Sequence, residues 1–336
     1  NDWLENPPSS DYWKEFDMSD HFGNIDIPIY HLGGWFDVFL NGTLKFYQGV
    51  SKNGKSDKTK QNQRLIVGPW VHGPTNINNR FAGEFDFGPD AALDFNELRL
   101  PWFDFWLKGK NNGIDETKKI NFFVMGKNEW KQADEWPLKN TTYTKYYFNT
   151  KLNGEIKSLY SGTLSDKKEI ENSQLSFTNN LNNPVPSLGG NTLSIPNGVF
   201  EHSSVDKQCI TFSTNPLENE LEVTGPVSAE IYVNSDQENA DWIVRLCDVD
   251  QSEYSRLVCD GIFRSHATSG EIQKIKIDMW ATSNMFLKGH RLRISVTSSC
   301  FPRFDRALNN GSEKSENNIL CGGSNASYIT LPIINN

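Results

Sequence analysis

The 336-residue chain is long enough for about two domains. A hydrophobic content of 37%, with 12% aromatic including ten Trp, supplies packed cores and excludes a disordered polypeptide. A net charge of −9 with scattered Lys and Arg offers no face for nucleic acid, and no apolar run reaches the ~18–20 residues of a membrane span.

The first residues, Asp2-Trp3-Leu4-Glu5-Asn6, have the texture of neither a signal peptide nor an initiator. We therefore expect the later part of a longer polypeptide. Residues 27–32 form an apolar run that reads as a buried strand, closed by Gly33-Gly34-Trp35-Phe36-Asp37. Behind it Leu40, Leu44, Tyr47 and Val50 recur at helical spacing. Residues 51–63 read as a polar loop, and residues 65–67 as the next strand, closed by Gly68-Pro69-Trp70-Val71-His72-Gly73. Leu98, Trp102, Phe105 and Trp106 mark an aromatic helix ending at Gly109, with Pro101 either kinking it or sitting in a restarted first turn. This half reads as α/β.

The texture changes near residue 115. Short, often alternating runs at 119–125, 144–148, 220–223, 227–233, 242–248, 272–278 and 291–295 are separated by Gly, Asn, Asp and Pro. Such spacing predicts an all-β sandwich or jelly roll. Residues 153–197 read as a long loop with one strand at most. The five cysteines (Cys209, Cys247, Cys259, Cys300, Cys321) are odd in number and form no C-x-x-C pair. Buried small hydrophobes in a reducing compartment are the simpler reading, which favours the cytoplasm. Sequons at Asn41, Asn140, Asn310 and Asn325 carry little weight in so Asn-rich a chain.

Two ionisable residues stand just past apolar runs, Asp37 and then His72, thirty-five residues apart. In open parallel sheets chemistry gathers at the carboxyl ends of strands. An Asp and then a His on successive strand ends is the order in which an α/β-hydrolase presents the second and third members of its Ser…Asp…His triad. An Asp between strand and helix is also the usual helix cap, and a His in a Gly-Pro loop is often merely satisfied. The residues alone leave both readings open. Trp35 and Trp70 flank the pair as candidates for a substrate pocket, against the plainer alternative of core packing. His21, His31, His202, His266 and His290 show no metal spacing, and Arg303, Asp305 and Arg306 read as a buried Arg–Asp network holding a loop.

Taken with the run Leu-Pro-Trp-Phe-Asp-Phe-Trp-Leu-Lys-Gly at 100–109, the two glycine-bounded segments resemble the CocE/NonD group of serine hydrolases. That group includes cocaine esterase, α-amino-acid ester hydrolases and acylases, and is related to X-prolyl dipeptidyl-peptidases. The likeness continues at 123–126, 136–138 and 221–227. It closes with Trp280-Ala281-Thr282-Ser283-Asn284, with 286–291 and with 298–306, so it covers nearly the whole chain.

The resemblance implies the C-terminal half of an α/β-hydrolase fold over residues 1–115 and a jelly-roll β-sandwich over 116–336. It makes Asp37 the triad acid and His72 the general base. It puts the nucleophilic Ser on a G-x-S-x-G-like elbow in an N-terminal half that this chain would need as its partner. Ser324, in the nearest similar string, is expected to be a turn residue. The implied activity is cleavage of small acyl esters or amides, with no cofactor, no metal, no nucleic acid and no membrane, and with homo-oligomerisation left open. Where amino-ester hydrolases carry carboxylates two and three positions after the triad Asp, this chain has Phe39 and Leu40. Phe39, with Trp35 and Trp70, is therefore expected to shape a pocket for an apolar or aromatic acyl group. The alternative from a different class is a non-catalytic jelly-roll module binding carbohydrate or peptide, which has no use for the Asp37/His72 pair.

Overall fold

The computed structural model describes residues 2–7, 10–150, 161–193, 196–307 and 312–335. The sequon at Asn310 lies outside the described residues. Among them, no helix is long and apolar enough to cross a membrane.

The first sheet has four strands in the order β1 (Tyr30–Phe36), β2 (Arg64–Val71), β3 (Ile120–Val124) and β4 (Glu129–Ala133). The first three are parallel and the fourth is antiparallel. Strand β1 starts three residues later than the apolar run suggests and extends through the glycines. Pro28 has no N–H to give a ladder, and Ile27 is 61% exposed. Pairing begins with Tyr30 opposite Arg64.

Helix α1 (Leu40–Asn53) buries the four residues its spacing predicts, Leu40, Leu44, Tyr47 and Val50. The expected polar loop is shorter than residues 51–63, because Asp57–Gln61 is helical and Ser56 caps it by accepting the Thr59 N–H at 3.2 Å. Helix α2 (Phe95–Lys108) begins behind Asp94, whose carboxylate accepts the Asn96 N–H at 2.7 Å. It runs through Pro101 without a break and ends at Gly109, whose φ of +67° is the left-handed cap that glycine adopts without strain.

The sheet continues past residue 115. Strands β3 and β4 belong to it, so the change of sequence texture there does not coincide with the end of the first sheet, which falls after Ala133.

Beyond that point the chain is almost entirely β, with eleven strands joined in one hydrogen-bonded sheet. The two runs expected at 220–223 and 227–233 fuse into one strand, Leu221–Ser235, with a register shift between Pro226 and Ser228. Residues 153–197 contain two strands in their described part, Gly162–Ser165 and Ser173–Asn180, rather than one. The strand at Ile210–Ser213 alternates over only four residues, and those at Ser255–His266 and Lys314–Cys321 carry too many polar residues to stand out by alternation. All enclose one core in which Phe148, Phe212, Trp242, Ile277 and Phe286 are essentially unexposed.

The two sheets form one body. Met125 and the Ser283–Met285 backbone exchange hydrogen bonds at 3.0 and 2.7 Å. Lys131 on β4 pairs with the buried Glu222 carboxylate at 2.5 Å. Val199, Ala281 and Met285 pack into the core of the first sheet.

Candidate active site

The close approach of β1 and β2 starts with glycine. A Cβ on Gly34 would overlap the Trp70 carbonyl, and one on Gly68 would overlap the Trp70 ring. With both side chains absent, the strands stay in register to Gly34–Gly68, then shift, and Phe36 stands opposite Val71. The next residue on each strand is ionisable. Asp37 and His72 thus emerge side by side at the carboxyl ends of neighbouring parallel strands.

His72 Nδ1 lies 3.1 and 3.2 Å from the two carboxylate oxygens of Asp37. The Asp37 side chain is 15% exposed and that of His72 is 42% exposed. An ionised carboxylate accepts only, so Nδ1 carries a proton in this contact, and in the neutral imidazole Nε2 is then the nitrogen with the lone pair. Asp37 also does what a turn residue would do. Its Oδ1 accepts the Phe39 N–H at 2.8 Å, and its own N–H donates to Gly34 O at 3.0 Å. Capping and pairing with histidine coexist because the carboxylate has lone pairs for both.

The other predicted residues divide. The Phe39 ring, 55% exposed, meets the His72 imidazole edge-on at 4.9 Å. Trp70 is buried with its indole N–H on Ala91 O at 2.7 Å, and its ring contributes to the wall of an adjoining cavity. Trp35 does not line that cavity. It is 1% exposed, and its N–H is tied to Phe123 O at 2.7 Å, so the side chain belongs to the core. Leu40 is likewise buried in the first-sheet core.

The cavity encloses about 590 Å³ and is mostly apolar, with Tyr30, Leu32, Phe95, Trp102 and Phe103 around it. Asp37, His72 and Arg99 are the charged or chargeable groups there besides the Tyr30 phenol, which burial pushes above its ordinary value. The Arg99 guanidinium lies 4.8 Å from the Phe95 ring and donates to Asn96 Oδ1. Tyr30, Phe95, Arg99 and Phe103 were not singled out by the sequence. They are ordinary-looking residues on β1 and α2 that only the packing of α2 brings to the dyad.

Asn191 was also missed. Its side-chain amide reaches across from the β-rich half and donates to Trp35 O at 2.8 Å and Asp37 O at 3.0 Å. Its only sequence signal is the preceding Gly189-Gly190, which marks a tight turn.

Ser324 sits in a short turn and faces Asn172. Among the described residues no serine hydroxyl hydrogen-bonds to His72. The expected Arg–Asp network is real but differently wired. Arg303 binds Asp260 at 2.6 Å, Asp305 offers only its backbone carbonyl to Arg264, and Arg306 binds Leu181 O.

One group of metal-type donors occurs among the described residues. His202, Asp206 and Cys247 bring ligand atoms within 4.8 Å of one another, although their sequence spacing gives no hint of it. Asp206 Oδ2 already accepts hydrogen bonds from Arg293 at 3.0 Å and Ser255 at 2.8 Å. Burial also pushes the Cys247 thiol well up, away from the thiolate a metal needs.

The family model for the X-Pro dipeptidyl-peptidase C-terminal non-catalytic domain matches residues 112–330, and that for X-Pro dipeptidyl-peptidase (S15 family) matches residues 1–74. The chain is 33% identical to cocaine esterase from Rhodococcus sp. (strain MB1 Bresler), over 98% of its own length and 60% of that protein's. An aminopeptidase from a marine sediment Thaumarchaeota archaeon has the same fold, with a TM-score of 0.84 at 21% identity over 98% of this chain and 59% of that one. An α-amino acid ester hydrolase superposes with a TM-score of 0.81 at 22% identity, over 96% of this chain and 58% of that one. The chain therefore spans about three fifths of the length of these relatives. By its family-model match, its motifs and its fold, it belongs to the CocE/NonD hydrolases that carry the X-Pro dipeptidyl-peptidase C-terminal domain.

Proposed function

We propose that this chain carries the acid and base of a Ser-His-Asp triad in a serine hydrolase that cleaves acyl esters or amides, with the nucleophilic serine on sequence outside residues 1–336. The observation that carries the reading is the contact of His72 Nδ1 with the Asp37 carboxylate at the ends of adjacent parallel strands. Relatives named as a cocaine esterase and an α-amino acid ester hydrolase support the reaction class. The length of cocaine esterase not matched by this chain leaves room for the serine elbow.

In this mechanism His72 Nε2 takes the serine Oγ proton as Oγ attacks the acyl carbon. Asp37 holds Nδ1–H and stabilises the imidazolium as it forms. His72 then gives the proton to the leaving alcohol or amine, and water repeats the cycle on the acyl-enzyme. We assign residues 1–115 to the C-terminal part of the α/β-hydrolase unit and residues 116–336 to a jelly roll. The first unit borrows β3 and β4 from the second to complete its sheet.

The acyl group preferred by this site is apolar or aromatic. Phe39 lies where amino-ester hydrolases keep an acid, and Leu40 is buried, so a substrate ammonium would lose water without gaining a partner. Esters of apolar acids should therefore exceed matched α-amino-acid esters in kcat/KM by about tenfold or more, since tenfold needs only ~1.36 kcal/mol. The check is a pair such as phenylacetyl and phenylglycyl esters of one alcohol, assayed with the complete enzyme where the amine is protonated. Equal or better turnover of the amino ester means that another segment supplies an anionic subsite.

A further inference from the structure

We infer that Asn191 is a positioning residue for Asp37, so that the segment matching a domain described as non-catalytic sets the geometry of the triad acid. The inference rests on the triad reading of Asp37 and His72.

The strand end it grips needs a partner. Trp35 falls inside the register shift between β1 and β2, where no residue of β2 stands opposite it. Its carbonyl is left for a side chain to satisfy, and a buried carbonyl without a partner is costly. Asn191 supplies one N–H of its amide there at 2.8 Å and the other to Asp37 O at 3.0 Å. Both acceptors are carbonyls, so the NH2 face of the amide must point at them. The residue is 6% exposed, so water does not compete for the same groups.

The loop bearing Asn191 is itself fixed on two sides. Gly190 and Gly198 exchange hydrogen bonds at 2.7 and 3.1 Å. Gly190 has a φ of +79°, and a Cβ there would press on Arg303, so the turn needs glycine. His202 Nε2–H donates to Leu188 O at 2.6 Å. Val199 N–H donates to Ala82 O at 3.1 Å, and Val199 O accepts from Glu84 N–H at 2.9 Å. The same loop therefore touches the strand end carrying Asp37 and the segment that follows His72. It is a strap holding the acid at a fixed distance from the base.

The test uses the complete enzyme with Asn191→Ala and with the near-isosteric Asn191→Asp, which turns an oxygen toward the two carbonyls. The strap predicts that kcat falls about tenfold to a hundredfold, the scale of a ~1 Å misplacement at a reacting centre, while KM stays within about twofold. In an Asp37→Ala background, Asn191→Ala should cost no further kcat. A residue that only supports the fold would lower thermal stability equally in both backgrounds and leave kcat per folded molecule intact, and that result overturns the proposal. Unchanged kcat per folded molecule in Asn191→Ala alone, while Asp37→Ala still abolishes turnover, refutes the strap and leaves the triad reading standing. Full activity of Asp37→Ala refutes the triad reading beneath it. Should Asn191→Ala not fold, Asn191→Asp carries the kinetic test. The contact of His72 Nδ1 with Asp37 predicts a low-field proton resonance in the 336-residue chain, a readout free of catalysis. It should weaken or vanish in the variant, and an unchanged signal counts against the strap.

Discussion

Asp37 is the residue at which two plausible roles meet. Its carboxylate holds the turn into α1 through the Phe39 N–H and faces His72 with both oxygens. Asp37→Asn keeps an acceptor for the turn but can present an N–H to the imidazole, favouring the wrong tautomer. We expect the folded enzyme to survive that change with kcat reduced by about 10⁴-fold, the scale known for this substitution in a triad. Retention of more than about a tenth of the activity would sink the assigned role. A buried charge pair elsewhere sets a contrasting expectation. The side chains of Arg293 and Asp206 are fully buried at 3.0 Å. Removing the carboxylate in Asp206→Ala leaves the guanidinium with its other partners only and should cost about 3–5 kcal/mol in urea unfolding. A loss under about 1 kcal/mol would show that Ser213 and Glu253 suffice for Arg293.

At the level of elements, the parts legible in the sequence were those that local physics controls. Helix α1 was visible from its apolar spacing, and the end of α2 from Gly109. The strands that carry Asp37 and His72 were visible as short apolar runs, but their lengths were not. Strand β1 shifted toward Gly33-Gly34 because Pro28 cannot donate, while the close packing of β2 needs glycine there. The β-rich half was recognisable as a class, whereas Ser255–His266 and Lys314–Cys321 were missed because they bury polar side chains in hydrogen-bonded networks. Asn191 escaped for a related reason, since its partners lie more than 150 positions away in the sequence.

Two substitutions probe this level. Gly34→Ala pushes a methyl into the Trp70 carbonyl and should destabilise by about 1–3 kcal/mol, with a matching loss of activity as the strands part. Pro101 lies inside α2, where it supplies no N–H to the helix ladder. Pro101→Ala should therefore stabilise the protein, by up to about 3 kcal/mol, with no change in KM. A drop in stability would mean that the surrounding packing has adapted to the ring.

Across the whole molecule, two buried imidazoles, one in each half, give stability a pH dependence. Burial pushes the imidazoles of His31 and His202 below their ordinary value of 6.5, with Arg245 adding to the effect at His202. The unfolded chain therefore takes up these protons before the folded one does. Stability should be fully present above about pH 6.5 and should fall as pH drops toward the depressed folded-state values. His31→Gln should flatten that fall in thermal melts between about pH 7 and 5. An unchanged slope would assign the acid sensitivity to other groups.

The central claim is that Asp37 and His72 activate a serine that lies on sequence outside this chain. Reaction with a fluorophosphonate probe, followed by mapping of the modified residue, tests it most directly. The 336-residue chain alone should take up no label on serine. Joined to the segment that completes the enzyme, it should direct the label to one serine outside residues 1–336, and His72→Ala should suppress that labelling sharply. Labelling of a serine within residues 1–336, or undiminished labelling in His72→Ala, would contradict the account.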